Sequence, residues 1–167
     1  MAVRREGPTR MVQASSMDIE FKEGIAEKDA ALVCAWSNGR GRAFHEQWVG
    51  SEVPYPLTQS SLRSFERIYS MYLGDEFLGI IQQMNIEAHS MHLGRFVINP
   101  DRTGQGYGKK ALSAFMNLCF EGESIEFVSL HVLKSNVGAK RLYEKLGFET
   151  VELREGLKPK YFMVKRR

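Results

Sequence analysis

The stretch Asn99-Pro100-Asp101-Arg102-Thr103-Gly104-Gln105-Gly106-Tyr107-Gly108-Lys109-Lys110 governs the reading of this chain. Before it, Met91–Ile98 alternates as a strand, and Asn99-Pro100 stops that strand because proline has no N–H for the ladder. After it, Tyr107 to Cys119 has the spacing of a helix, with Tyr107, Ala111, Leu112, Phe115, Leu118 and Cys119 on one apolar stripe. Gly104, Gly106 and Gly108 at this junction let successive backbone N–H groups face one concavity, where the helix dipole adds partial positive charge. Such a turn binds phosphate. The plainer reading is a turn that only packs the helix against the sheet.

Two nucleotide-binding motifs fail on spacing. A Walker A loop needs G-x-x-x-x-G-K-[ST], but Gly104 to Gly108 is one residue short and Lys110 stands where the metal-binding hydroxyl belongs. A dinucleotide fingerprint needs G-x-G-x-x-G after the first strand, and this G-x-G-x-G comes late in the chain.

Working toward the N-terminus, Met17, Ile19 and Phe21 alternate with Asp18, Glu20 and Lys22 as a half-buried strand. A helix over EKDAALVCAW carries Ala30, Leu32, Val33 and Cys34 as its apolar stripe and is broken by Gly39 and Gly41. Pro54-Tyr55-Pro56 is a stiff loop, and Thr58 caps a short helix. Ile68–Leu73 and Phe77–Glu87 form a hairpin through Gly74-Asp75-Glu76. Toward the C-terminus, Phe127–Val132 is apolar on both faces, as a central strand should be. A helix from Val137 to Leu146 ends at Gly147, and strands around Phe148–Leu153 and Tyr161–Val164 follow. The order β-α-α-(α)-β-β-β-α-β-α-β-β predicts an α/β domain with a helical crossover onto the central strand.

At 167 residues the chain is sized for one domain, and 43% apolar with 26% charged residues excludes a disordered body, a rod or a solenoid. Residues 1–15 lack periodicity and read as a flexible N-terminal leader, leaving 16–167 as the single domain. No segment has the ~18–20 apolar residues of a membrane span, and the basic first residues lead into no apolar signal core. Cys34 and Cys119 make no disulfide framework, so a reducing cytoplasm is the expected location. The net charge of +3 is unevenly spread: residues 1–15 carry +2 and 158–167 carry +5, leaving the body at −4. A nucleic-acid reader concentrates its cations on one folded face, so that class is disfavoured.

Two blocks together resemble the GNAT N-acetyltransferase family, in its bacterial single-domain form, over residues 17–165. Thr103-Gly104-Gln105-Gly106-Tyr107-Gly108 is similar to the family's pyrophosphate loop. Asn136-x-x-Ala139-x-x-Leu142-Tyr143-Glu144-Lys145-Leu146-Gly147-Phe148 is similar to its second cofactor segment. The segments Trp48-Val49-Gly50 and Tyr55-Pro56-Leu57-Thr58 also look like a branch of bacterial members. Thr103 departs from the Arg or Gln usual at the first loop position, which leaves the N–H groups unaffected. The resemblance implies a mixed, mostly antiparallel sheet of six to seven strands with helices on both faces. It also implies acetyl-CoA as acetyl donor, no metal, an amine of a small molecule or protein as acceptor, and often a homodimer. Under it, the backbone of Thr103, Gly104, Gln105, Gly106, Tyr107, Gly108 and Lys109 would take the pyrophosphate, and Phe96, Val97 and Ile98 the pantetheine arm.

Asn136 and Tyr143 are seven residues apart and share a helix face. Under the resemblance Tyr143 would protonate the departing thiolate; alone it reads as a core aromatic. A lysine-like amine is neutral in only about one molecule in a few thousand at pH 7, so a base is useful. The resemblance, under which a basic side chain often precedes the loop on the same strand, makes His92 the leading candidate, with Glu87 and His89 as rivals acting through water; alternation puts His92 on a face with Gly94 and Phe96. Cys119 lies in an apolar stripe, where a thiol acts as a small hydrophobe. Trp36, Phe44, Trp48, Tyr55 and the Phe77–Met84 strand are expected around the acceptor, with Glu46, Glu52 and Glu87 favouring a cationic amine. The competing reading is a catalytically degenerate acyl-CoA-binding module acting through a protein partner.

Overall fold

The computed structural model describes residues 18–122 and 124–167; the expected leader over 1–15 and the strand position of Met17 lie outside them. The chain begins with β1 (Ile19–Glu23), α1 (Glu27–Gly39), α2 (Arg42–Trp48) and α3 (Gln59–Arg63). The meander β2 (Ile68–Leu73), β3 (Glu76–Ile86) and β4 (Ser90–Ile98) follows. After one 3₁₀ turn over Pro100–Arg102 come α4 (Tyr107–Glu121), β5 (Phe127–Leu133), α5 (Val137–Lys145), β6 (Glu149–Arg154) and β7 (Lys160–Arg166). The strands make one sheet in the order β1-β2-β3-β4-β5-β7-β6. Every pairing is antiparallel except β4 with β5, which α4 joins by the expected crossover.

Local chemistry explains the boundaries. Thr58 accepts a hydrogen bond from the Ser61 N–H at 3.1 Å and so starts α3. Gly74 at φ +63° supports a tighter hairpin than expected, so Glu76 already belongs to β3. Gly147 at φ +99° ends α5 in the left-handed conformation that glycine adopts without penalty.

Two cores flank the sheet. Phe115, Leu112 and Met116 of α4 pack with Met71, Leu78, Ile81, Met91, Val128 and Met163 on one face. Val33, Trp48, Leu57, Leu62, Ile68, Phe77, Ile80 and Val97 form the other core, under α1–α3. Three expectations are corrected here. Leu32 is 45% exposed and outside the α1 stripe. The strand β5 fully buries only Val128, Leu130 and Val132, and the residues alternating with them are half-buried. A bulge on β4, where Val97 pairs with Ile80 but Gly94 with Gln82, breaks the alternation. Arg95 sits in it at φ +46°, so Phe96 and Ile98 turn to the α4 side, away from the face of His92.

Candidate active site

The parallel pairing of β4 with β5 covers only Ser90 to His92 against Phe127 to Ser129. Beyond it the strands splay, and among the described residues the β4 edge from Leu93 to Ile98 facing β5 has no strand partner. A cavity of about 370 Å³ occupies the splay. Leu112 of α4 and Asn136, Leu142 and Tyr143 of the α5 segment line it from one side of the sheet; Arg40, Phe44, Gln47 and Trp48 line it from the other. The opening thus runs through the sheet.

The glycine turn stands at one mouth. Gly104 and Gly106 take φ of +77° and +87°. Among the described residues, none of the N–H groups from Gly104 to Lys109 donates to a protein acceptor; pairing resumes with Lys110 N–H to Gly106 O at 3.1 Å. Six consecutive free donors at the start of a 15-residue helix form an anion cradle. Side chains in the turn are otherwise engaged: Thr103 Oγ1 donates to Pro100 O at 3.0 Å and Gln105 Nε2 to Asp101 O at 3.2 Å. Arg102 is held by Glu76, with contacts of 2.5 and 2.8 Å, which leaves Lys109 and Lys110 as the exposed cations of the turn. A Cβ on Gly108 would meet Leu142 at 3.7 Å, an ordinary contact, so α5 packs beside the turn.

Asn136 caps α5, accepting from Ala139 N–H at 3.3 Å, and also lines the cavity. Tyr143 lines it with its ring edge-on to Phe148 at 5.9 Å. Burial pushes its phenol up to about 12, so the hydroxyl stays protonated and able to donate.

His92 is not among the cavity-lining residues. Its Nδ1 lies 2.7 Å from Ser129 Oγ, and its ring is stacked on Phe162 at 6.2 Å and lies 4.8 Å from that of His131. His131 lines the cavity, and its Nε2 is buried without a partner. Burial, together with His92, Lys160 and Arg154, brings the His131 imidazole down to about 4; burial and the same two cations lower His92. Glu87 and His89 lie at the far end of the β3–β4 hairpin, His89 Nδ1 being 3.3 Å from Ser124 O.

Only some of the residues expected around the acceptor line the cavity. Phe44, Trp48 and Ile81 reach the cavity. Trp36 instead stacks on Phe77 at 5.7 Å, and Tyr55 lies edge-on to His45 at 5.5 Å. Arg95 and His131 were not expected. Arg95 Nε donates to Val49 O at 2.9 Å and Nη1 to Gln82 Oε1 at 3.1 Å, so it ties the β4 bulge to the end of α2. A bulge held by a non-glycine residue has no sequence signature, and a histidine within an apolar strand reads as packing.

A family model described as the acetyltransferase (GNAT) family matches residues 29–148. The chain belongs to the GNAT acetyltransferase family. A curated relative, the ribosomal protein bS18-alanine N-acetyltransferase of Haemophilus ducreyi, is 33% identical over 67 residues, 40% of this chain and 46% of the relative. The chain therefore matches about half the length of that relative. A GNAT acetyltransferase from Bacillus anthracis shares the fold at TM-score 0.73 and 16% identity over 99% of this chain and 98% of that one. The aminoglycoside acetyltransferase AAC(6')-Ib, solved with ribostamycin and coenzyme A, matches at TM-score 0.70 and 22% identity, covering 90% and 94%. A spermidine N-acetyltransferase SpeG chimera from Vibrio cholerae and hSSAT matches at TM-score 0.70 and 16% identity, covering 89% and 95%. Among the described residues of this GNAT protein, no helix is long and apolar enough to cross a membrane.

The histidine pair gives the family member a pH signature. Unfolded imidazoles protonate near ~6.5, but folded His131 does so only at about 4, so the unfolded state binds more protons between these values. Stability is unaffected above pH 7 and falls as pH drops through that window, by at most ~1.4 kcal/mol per pH unit and less for a part-exposed ring. Thermal melts from pH 7 to 4.5 should show the decline, and His131→Gln should flatten it; an unchanged slope in that variant would reject the assignment.

Proposed function

We propose that this protein transfers an acetyl group from acetyl-CoA directly to a primary amine of a small molecule or protein. The observation that carries the reading is the opening through the sheet at the β4–β5 splay, which joins the anion cradle to a second mouth under α2. When bound, acetyl-CoA would supply the activated acetyl group. The N–H groups from Gly104 to Lys109 suit its pyrophosphate, and the unpaired edge over Phe96, Val97 and Ile98 suits an extended pantetheine arm added like a strand. Tyr143 donates its hydroxyl proton to the leaving thiolate, and Asn136 orients the same segment.

On the α2 side, His131 is neutral at pH 7 and lines the cavity where the amine would attack, with His92 packed beside it. Amines with a low pKa, such as an α-amine near ~8, need least help from so weak a base. Titration calorimetry with acetyl-CoA and thiol release across an amine panel test the reading. Binding in the micromolar range and release with at least one amine are expected; no heat below millimolar ligand would reject it. Gly106→Ala places a Cβ at φ +87°, at ~1–2 kcal/mol, and should lower the melting temperature by about 2–8 °C and weaken acetyl-CoA binding about tenfold.

A further inference from the structure

The charge lining the cavity is one-sided. Among the described residues that line it, none is Asp, Glu or Lys, and its histidine and tyrosine are neutral at pH 7. Its charge therefore comes from Arg40 and Arg95 alone. A cleft lined by one sign of charge concentrates ligands of the opposite sign.

Both guanidinium groups have donors left. Arg40, exposed at the end of α1, lies over the Phe44 ring at 4.4 Å. Its side chain has no hydrogen-bond or ion-pair partner among the described residues. Arg95 commits Nε and Nη1 to Val49 O and Gln82 Oε1 and lies over the Phe65 ring at 4.1 Å, which leaves Nη2 without an acceptor among the described residues. Burial lowers the pKa of this guanidinium and the Glu52 carboxylate opposes the shift, but no ion pair joins the two. The φ of +46° at Arg95 is a conformation that a side chain adopts at a cost, and such costs collect where ligands are clamped.

The donor leaves this pair unused. Under the transfer reading, the phosphates of acetyl-CoA take the N–H groups of the glycine turn, at the other mouth, beside Lys109 and Lys110. Two of the expected carboxylates stand elsewhere. Glu46 pairs with Lys158 beside a second cavity, and Glu87 lies at the far end of the β3–β4 hairpin.

We infer that Arg40 and Arg95 hold the carboxylate of a small apolar amino acid, whose α-amine is the group acetylated. The inference rests on the transfer reading above and reverses the cationic acceptor expected from Glu46, Glu52 and Glu87. A guanidinium fork matches a carboxylate, and Phe44 and Trp48 give the apolar body a wall. A cavity of about 370 Å³, shared with the acyl end of the donor, suits a small molecule. Spermidine and other polycations bring charge of the wrong sign.

The test uses the full chain with saturating acetyl-CoA and follows thiol release. The acceptors are L-phenylalanine, L-leucine and L-methionine, the amide of each, an Ala-Asp peptide amide, and spermidine. Removing the carboxylate lowers the pKa of the neighbouring amine and leaves more free base, so intrinsic reactivity favours the amides. At least one acid should nevertheless exceed its own amide about tenfold or more in kcat/KM. Arg40→Gln should cut that ratio about fivefold or more, and Arg95→Lys, which keeps the charge but loses the fork, should cut it too. Calorimetry should find acetyl-CoA bound by Arg40→Gln within about twofold of wild type. A larger change would move Arg40 to the donor side and overturn the inference. Spermidine, the peptide or an amide as the best acceptor, or an acid preference untouched by both substitutions, overturns the inference alone. So does release with other amines and none of the three acids. No thiol release with any amine overturns the transfer reading and the inference with it.

Discussion

Tyr143→Phe should lower kcat by about 100-fold or more and leave the acetyl-CoA Kd within about twofold, as expected for loss of a positioned general acid. The ring itself is retained, so its edge contact with Phe148 at 5.9 Å and its place in the cavity wall persist. Only the hydroxyl disappears. Because burial holds that phenol at about 12, no tyrosine ionisation should appear in the wild-type pH–rate profile below pH 10. Steady-state kinetics beside titration calorimetry separate the effects. Unchanged turnover would assign Tyr143 to packing and move the acid elsewhere.

The second large effect is on stability. A Cβ on Gly79 would stand 2.0 Å from Val97 O and 3.0 Å from Ile98 Cα, both backbone atoms of β4. No rotamer relieves that contact, so Gly79→Ala must push β3 and β4 apart at a cost of about 3 kcal/mol or more. The melting temperature should fall by about 6–12 °C. Since the displaced residues carry the edge proposed for the pantetheine arm, acetyl-CoA binding should weaken too. Gly138→Ala is the control: nothing lies within 4 Å of its Cβ, and alanine in α5 should raise stability by about 0.5–1 kcal/mol. A destabilised control with an unaffected Gly79→Ala would reverse the account.

Much of this architecture is legible in the sequence where structure is local. The strand before Asn99-Pro100, the turn through Gly106, the helix after it and the stop at Gly147 all follow from residue types and spacing, and their ends fall within a few residues of expectation. What escaped depends on partners distant in the chain. Nothing local to the turn shows that Glu76, 26 residues earlier, holds Arg102. Trp36 looked like a pocket wall, but Phe77 stacks on it from another element. The face of Phe96 was misassigned because one added residue in β4 inverts the alternation after it. His131 stayed hidden for a different reason: its role comes from the gap beside β5, and a gap leaves no mark on composition.

The two cores have a consequence for how such a protein can change over time. Residues under α1–α3 form a cluster drawn wholly from the first part of the chain up to Val97, while the cluster under α4 and α5 supports the glycine turn and Tyr143. Substitutions in the first can reshape the wall proposed to meet an acceptor without disturbing the packing beneath the proposed donor cradle. Under that proposal, selection for a new amine has room to act on one side of the sheet while the other keeps its own packing. The sheet would then work as a partition between an inherited reaction and a negotiable specificity.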